Sequence, residues 1–391
     1  MCLNNGFKTI MYFLICSLVT MLSSCQIRKS TTNSLVSEMS VVFEPKGEYA
    51  SMRIPALVIT KKGTLLAFCE GRIGTASDWA DMDLLMRRSV DKGKTWESAS
   101  IIAKREGGNP TSNPTPIVDQ EGTIHLLYQR DYARAYYTQS KDDGKTWSKA
   151  TDITYVFETF KPEYDWKVLA PGPGHAIQLL NGRLLVPVWL SNPDKLVPHR
   201  SHAPSCVATI YSDDLGKTWI RGAIVANNSP ELNNPNESMA VQLNDGRVML
   251  NMRSPSVIRR KAVSYSTDGA TKWTKPVFDD ELFEPVCMSS IIKVPLKGKS
   301  GKTTLIFVNP DSRNIEKHPR QNLTVKLSYD NGENWPVQKV LDAGPSGYSD
   351  LAVGSDGEVY CLYETNTIAK GRNYSLVLRK FKLNKLTHRG D

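Results

Sequence analysis

The pattern Ser-x-Asp-x-Gly-x-x-Trp occurs five times in this chain, and its spacing constrains the fold more than any other feature. The copies begin at Ser89, Ser140, Ser212, Ser266 and Ser328. Their aspartates follow one another at intervals of 51, 72, 54 and 62 residues, and repeats of this length are typical of propeller blades or solenoid units. Apolar, strand-like runs flank the copies, so each repeat is predicted to form a strand, a turn and a second strand.

Each copy has the chemistry of a tight turn. An aspartate side chain bonds nearby backbone N–H groups, and the glycine adopts a positive φ at little cost. We therefore interpret the five aspartates as turn residues rather than as metal ligands or acids; they are Asp91, Asp142, Asp214, Asp268 and Asp330. The fourth copy is degenerate, because Ala270 stands where the other copies have glycine.

Residues 1–24 differ from the rest of the chain. Lys8 is their only charge, and an apolar stretch is followed by Leu22-Ser23-Ser24-Cys25. These features are typical of a secretory signal peptide. The ending resembles a bacterial lipobox, which implies cleavage before Cys25 and lipidation of that residue, with a plain signal peptide as the alternative. Residues 25–39 are polar and predicted to be a flexible tether, so we expect an exported lipoprotein of the cell envelope that meets the membrane only through its lipid.

Composition excludes some function classes. The formal net charge is +9, but the basic residues are spread along the chain rather than clustered with aromatic residues, so no nucleic-acid partner is expected. A modest positive field favours an anionic substrate instead. The cysteines outside the leader lack metal-type spacing and are predicted to be buried thiols, although one disulfide stays open; they are Cys69, Cys206, Cys287 and Cys361. No metal and no organic cofactor are expected.

Residues 40–385 are predicted to form one all-β domain, a six-bladed β-propeller. About 350 residues divided by a repeat of about 60 gives six units, one more than the five marked turns. The sixth unit is expected at the chain ends, because propellers commonly close by pairing their first and last strands. Candidate strands there are 40–43 and 374–378. The unpatterned stretch from Phe157 to Pro173 is predicted to be a loop on a functional face.

Arg53-Ile54-Pro55 stands at the start of a predicted strand, upstream of the first turn. Together with the five turns, it resembles the exo-sialidases (neuraminidases) of the bacterial and mammalian type, and the resemblance covers residues 40–385. It implies a six-bladed propeller that removes terminal sialic acid from glycans, glycoproteins or gangliosides with retention of configuration. A trans-sialidase and a non-catalytic sialic-acid-binding propeller are the alternatives, and a preference for the deaminated nonulosonic acid also stays open.

The resemblance implies three arginines that grip the carboxylate of sialic acid. By motif match these are Arg53, Arg253 and Arg320, with Arg313 as a rival for the third position. Guanidinium groups suit this task because they are planar, permanently charged and able to bond both carboxylate oxygens. A further family arginine matches Arg72, for which a salt bridge to Glu70 or Asp78 is the alternative role.

Gly347-Tyr348-Ser349-Asp350 matches the motif of the family's nucleophile, which implies that Tyr348 attacks the sugar. A neutral tyrosine approaches an anionic anomeric centre more easily than a carboxylate does, and sialidases are the known tyrosine exception among retaining glycosidases. Glu237 matches the family's base for that tyrosine. Asp78 is preferred as the general acid over Asp81 and Asp83, because it lies in a loop rich in small residues.

Two further residues fall in family-like segments. Glu364 in Leu362-Tyr363-Glu364 is expected to orient an arginine, plausibly Arg53, without touching substrate itself. His175 in Gly172-Pro173-Gly174-His175 is interpreted as structural.

Overall fold

The structure is a computed structural model that describes residues 39–194, 201–295, 303–366 and 374–387. The predicted leader, most of the tether and the lipidation site Cys25 lie outside these residues. The described strands form six antiparallel sheets, five of four strands and one of five. The predicted all-β class and the six-bladed propeller are therefore confirmed.

Blades one to five follow the chain in order. Strand β1 (Ser40–Phe43) precedes them. The first blade is β2 (Tyr49–Ile59), β3 (Leu65–Ile73), β4 (Met82–Ser89) and β5 (Ser100–Ala103); the second is β6 (Thr111–Val118), β7 (Ile124–Arg130), β8 (Arg134–Ser140) and β9 (Thr151–Asp152). The third is β10 (Val168–Pro171), β11 (Ile177–Gln178), β12 (Leu184–Ser191), β13 (Ser205–Ser212) and β14 (Ile220–Asn227). The fourth is β15 (Ser238–Gln242), β16 (Val248–Met252), β17 (Arg260–Ser266) and β18 (Val277–Phe283); the fifth is β19 (Ser290–Pro295), β20 (Thr303–Pro310), β21 (Gln321–Ser328) and β22 (Val337–Pro345).

The sixth blade closes the ring with strands from both ends of the domain. It contains β23 (Ser349–Val353), β24 (Glu358–Thr365) and β25 (Ser375–Lys382), and β1 supplies its outer strand. Ser40 pairs with Leu378 and Val41 with Val377 in antiparallel register. In the other blades the Asp/Gly/Trp turn joins the third strand to the fourth. Because β1 arrives from the opposite end of the domain, the sixth blade has no such connection, which explains five turns for six blades.

The tryptophan of each turn packs on the preceding blade. Trp147 meets Phe68 of the first blade edge-on at 6.0 Å between ring centroids, and Trp219 meets Tyr137 of the second at 5.6 Å. Trp96, Trp273 and Trp335 join apolar clusters that include the blades before them. The glycine is equally constrained: a Cβ on Gly144 would stand 3.0 Å from Leu66, and its φ is +77°. The repeated turn therefore fastens neighbouring blades as well as neighbouring strands.

The degenerate fourth turn keeps this arrangement with a shift of one residue. Gly269 takes the positive φ, +71°, and lies against Leu185 of the preceding blade. Thr271, three residues after Asp268, donates its backbone N–H to that carboxylate at 2.7 Å, whereas in the first turn Thr95 does so four residues after Asp91. Lys272, which adopts φ +52°, is the one additional residue between Thr271 and the tryptophan; in the first turn Thr95 directly precedes Trp96. Ala270 is tolerated because Gly269 adopts the positive φ that the glycine adopts in the other turns.

The loop predicted between Phe157 and Pro173 is correct only in part, since residues 159–167 lie outside helices and strands. That stretch contains the end of a short helix, α1 (Thr154–Glu158), and the innermost strand β10. Phe157 and Phe160 are completely buried, so the aromatic residues that suggested a surface loop are core residues. A second short helix, α2 (Leu383–Thr387), follows the last strand. Within the described ranges, no helix has the length and apolarity needed to cross a membrane.

The four cysteines of the propeller are free and buried. This agrees with the prediction of buried thiols, and none of the four takes part in the disulfide that the sequence left open.

Candidate active site

The topology brings the predicted site residues to one face of the propeller. Alternate strands of an antiparallel blade run in opposite directions, so the first strand starts, the second ends and the third starts on the face opposite the Asp/Gly/Trp turns. The predicted residues occupy such positions or the loops beside them; they are Arg53, Arg72, Asp78, Glu237, Arg253, Arg320, Tyr348 and Glu364. The repeated turns thus lie on one face of the propeller, and the predicted site residues lie on the opposite face.

Arg53 sits at an irregular step of β2. The register with β3 shifts between Arg53 and Ala56, and Ile54 adopts φ +58°, which is unusual for a β-branched residue. Glu364 stabilises this bend, because its Oε1 accepts the Ile54 N–H at 3.0 Å. The same carboxylate accepts two bonds of 3.1 Å from Nε and Nη2 of Arg53. One buried glutamate therefore fixes both the backbone and the guanidinium.

The Tyr348 hydroxyl lies against a carboxylate. It is 2.6 and 2.7 Å from the two oxygens of Glu237, and Nη1 of Arg253 donates to it at 3.3 Å. Arg253 also forms an ion pair of 2.6 Å with Glu237. The tyrosine is only 5% exposed. A phenol, a carboxylate and a guanidinium from three parts of the chain are thus in direct contact.

Arg320 reaches this group, and its rival does not. The Arg320 and Arg53 guanidinium carbons are each 5.4 Å from the centroid of the Tyr348 ring. Arg313 instead bonds Asp311 at 2.9 and 2.8 Å and donates to the Glu281 carbonyl. The structure therefore places Arg53, Arg253 and Arg320 around one tyrosine.

Asp78 faces two of the site arginines from its loop. Its Oδ1 lies 2.7 Å from Arg72 and 3.5 Å from Arg53, and its side chain is 44% exposed. Arg72 is buried and also bonds Glu70 at 2.6 Å, so it makes both ion pairs that were its alternative role. Asp83 points elsewhere, to Tyr49 and Arg105.

Burial and charge shift the titration of the two central groups in opposite directions. Burial raises the pKa of Tyr348 well above its usual value, as does Glu237, and the nearby arginines oppose this rise only in part. Partial burial would also raise the pKa of Asp78, but Arg72 and Arg53 more than offset it and lower that pKa to about 2. In the ligand-free site the tyrosine is therefore neutral and the aspartate ionised at neutral pH.

An aromatic wall beside Asp78 was missed in the sequence. Trp79 packs on Tyr132 at 4.6 Å and on His202 at 4.8 Å between ring centroids, and Trp189 meets His202 at 5.1 Å. The Nε2 of His202 is buried without a hydrogen-bond partner in the described part of the chain. These residues come from three blades and share no motif; only the position of Trp79 next to Asp78 could have indicated one of them.

His175 bonds Asp350 at 2.7 Å through Nδ1. Asp350 also accepts from Leu57 N–H at 2.8 Å and from the Ser290 hydroxyl at 2.9 Å. This completely buried carboxylate links the sixth blade to the first, third and fifth. The contacts fit a structural role for His175.

Comparison with known proteins identifies the family. The family model described as BNR repeat-like domain matches residues 63–361. A sialidase from Micromonospora viridifaciens is 30% identical over 374 residues, which cover 88% of this chain and 54% of that protein. Sialidase-2 from Cricetulus griseus is 30% identical over 359 residues, covering 82% of this chain and 90% of that protein. The chain belongs to the sialidase family.

A solved sialidase structure agrees with this assignment. The Hadza microbial sialidase Hz136 superposes with a TM-score of 0.73 at 27% identity, over 89% of this chain and 69% of that one. The chain spans about half the length of the Micromonospora sialidase.

Proposed function

We propose that this member of the sialidase family is a retaining exo-α-sialidase that acts through a tyrosyl-enzyme intermediate. The observation that carries the proposal is the Tyr348 hydroxyl, held between both oxygens of Glu237 and within 3.3 Å of Arg253. A buried phenol with a base at hydrogen-bond distance is the arrangement an activated nucleophile requires.

Three arginines around that phenol define the substrate class. Sialic acid carries a carboxylate on its anomeric carbon, and Arg53, Arg253 and Arg320 offer three permanent charges at that place. Each charge-assisted hydrogen bond is worth about 1.5 to 3 kcal/mol. The substrates we propose are terminal sialic acids of glycans, glycoproteins or gangliosides.

The first step uses the two carboxylates in different roles. The Tyr348 oxygen attacks the anomeric carbon and gives its proton to Glu237. The glycosidic C–O bond breaks, and Asp78 protonates the departing oxygen. Since burial keeps Tyr348 neutral before attack, the nucleophile does not repel the substrate carboxylate. The cationic guanidinium groups stabilise the phenolate character that develops.

The second step reverses these roles. Asp78 takes a proton from water, the water oxygen bonds to the anomeric carbon, and the bond to the tyrosine oxygen breaks. Glu237 returns the proton to Tyr348. Two successive inversions retain the configuration.

Asp78 must be protonated to act as an acid, although its pKa in the ligand-free site is about 2. The arginines cause that low value. A bound carboxylate adds negative charge beside Arg53, which belongs to both groups of arginines, and raises the pKa of Asp78. The substrate therefore helps to prepare its own acid.

The test is NMR detection of the first sialic acid anomer released from a sialoside, with wild type, Tyr348→Phe and Tyr360→Phe. Tyr360 is a matched control, because it is buried in the same blade and its hydroxyl bonds a carboxylate, Glu358, at 3.2 Å. We expect the α-anomer first from wild type and Tyr360→Phe, and loss of release from Tyr348→Phe. The β-anomer first, or equal rates in all three proteins, contradicts the proposal.

The same reaction separates the alternatives. Binding of the sialoside without release indicates a sialic-acid-binding propeller. An anhydro sugar, or a sialoside built on an added acceptor, indicates transfer in place of hydrolysis.

A further inference from the structure

A fully buried ion pair lies under the loop that carries Arg253. The ammonium of Lys261 in β17 is 2.7 Å from the Glu284 carboxylate, and both side chains are 0% exposed. Burying two charges costs several kcal/mol each unless the surrounding groups compensate. This pair therefore needs an explanation, and its other contacts supply one.

Glu284 bonds the backbone at two places next to site arginines. Its Oε2 faces the N–H of Ser254 at 3.4 Å, directly after Arg253. Its Oε1 accepts the N–H of Cys287 at 2.8 Å. The carboxylate thus ties the end of the second strand of blade four to the connection into blade five.

That connection also holds the third arginine. Lys261 donates to the carbonyl of Cys287 at 2.8 Å, and Arg320 donates through Nη2 to the carbonyl of Val286. Val286 adopts φ +60°, a conformation that a β-branched residue holds only when its surroundings impose it. The ion pair bonds both backbone groups of Cys287 and so holds the adjacent Val286, whose carbonyl accepts from Arg320.

The Glu284 carboxylate also acts on Arg253 through its charge. Its Nε is buried and lacks a hydrogen-bond partner among the described residues, so Glu237 fixes only one end of the guanidinium. Glu284 is one of the carboxylates whose charge raises the pKa of Arg253.

We propose that Glu284, paired with Lys261, is a positioning residue that sets Arg253 and Arg320 for the substrate carboxylate. This inference rests on the proposed function, because it assigns a role within the same site. Glu284 does not touch the substrate; it acts through the two arginines.

The chain offers a matched control. In blade five, the buried ammonium of Lys326 lies 2.9 Å from Asp311, and Asp311 bonds Arg313, not an arginine of the site. Removing either pair deletes one buried lysine and one buried carboxylate. The test therefore compares Lys261→Met/Glu284→Gln with Lys326→Met/Asp311→Asn.

The readout is carboxylate recognition. Inhibition constants are measured for the 2,3-unsaturated glycal of sialic acid and for its C1 carboxamide. The inhibition constant of the carboxamide divided by that of the glycal reports how strongly the site prefers the charged carboxylate. We expect this ratio to fall about tenfold in the Lys261/Glu284 variant, the equivalent of one charge-assisted bond, with a similar rise in KM. The Lys326/Asp311 variant should keep the ratio within about twofold of wild type. Inhibition constants do not depend on the active fraction, so partial unfolding does not imitate the effect.

An unchanged ratio in the Lys261/Glu284 variant overturns the inference, and so does an equal fall in the control, which would mean general loosening. If wild type neither hydrolyses a sialoside nor binds the glycal, the proposed function fails instead. Should the double variant not fold, Glu284→Asp keeps the charge but shortens its reach, and the same ratio decides.

Discussion

Glu364 lies 311 residues from Arg53 in the sequence, yet its two carboxylate oxygens each accept a hydrogen bond of 3.1 Å from the Arg53 guanidinium. The same group accepts the N–H of Ile54 at 3.0 Å and of Tyr348 at 3.2 Å. A Cβ on Gly347 would stand 2.3 Å from it, so the chain leaves room for this carboxylate at that residue. One buried side chain thereby joins the first arginine to the tyrosine segment.

Glu364→Ala should damage stability and substrate binding together. It leaves the buried Arg53 guanidinium with only its 3.5 Å ion pair to the more exposed Asp78 among the described residues, and breaking a buried pair costs about 3 to 5 kcal/mol. We expect a matching loss in urea-induced unfolding and a KM at least about tenfold higher. Glu358→Ala, in the same strand, removes a carboxylate that bonds Tyr360 and should change neither by much. A normal KM in a folded Glu364→Ala protein would argue against this positioning role.

Arg320 and Arg313 should differ in kinetic importance although seven residues separate them. Arg320→Ala removes a charge beside Tyr348 and should lower kcat/KM about 10- to 100-fold. Arg313→Ala removes a charge that is already satisfied by Asp311, so kcat/KM should stay within about threefold of wild type. Steady-state kinetics on a fluorogenic sialoside measures both. The reverse ranking would assign the third carboxylate contact to Arg313.

The turn aspartates should contribute to stability and not to activity. Asp214 accepts bonds from the Ser212 hydroxyl at 2.8 Å and from the N–H and hydroxyl of Thr218 at 2.9 and 2.6 Å. Asp214→Ala should therefore reduce the free energy of unfolding by about 1 to 2 kcal/mol with an unchanged kcat. Asp213→Ala removes only an exposed ion pair with Arg183 and should cost less than about 1 kcal/mol. Denaturant titration compares the two, and a lowered kcat for Asp214→Ala would contradict the scaffold role.

The fold could be predicted because its signal is local and repeated. The turns place an aspartate, a glycine and a tryptophan at nearly constant offsets, and the length of the domain divided by their spacing gives the number of blades. Closure by β1 followed from the same count. The loop predicted from Phe157 to Pro173 was wrong in part, because it includes β10 and its aromatic residues are buried by a neighbouring blade, which no local pattern reports.

The site residues also divide into those that a local motif predicts and those that it does not. Tyr348, Glu237 and the arginines stand in short motifs, so a resemblance could name them. Lys261 and Glu284 could not be named, because a lysine within a strand is ordinarily exposed and its burial depends on a carboxylate from the connection after β18. His202 was hidden for the same reason, since two of its aromatic neighbours, Trp79 and Tyr132, come from other blades.

Residues 22–25 predict attachment to a membrane through lipid. We propose that Cys25→Ser, expressed in a bacterial host with the preceding leader, moves the protein from the detergent phase to the aqueous phase in a phase-partition experiment. Labelled fatty acid should enter the wild-type protein only. The kcat should be unchanged, because Cys25 lies outside the predicted propeller domain, residues 40–385. Equal partition of both proteins would leave a plain signal peptide as the reading of this segment.

Ligand binding should be linked to proton uptake by Asp78. The arginines hold the pKa of this carboxyl at about 2 in the free site, so it is ionised at pH 5. A bound carboxylate offsets the charge of Arg53 and so raises that pKa, and a group with a higher pKa in the complex takes up a proton on binding. Affinity for the sialic acid glycal should therefore increase as pH falls through the pKa of the complex. Calorimetry in buffers of different ionisation enthalpy at pH 5 should detect uptake by wild type and little or none by Asp78→Asn. If both proteins bind without proton exchange, Asp78 stays ionised in the complex and another group must supply the proton to the leaving oxygen.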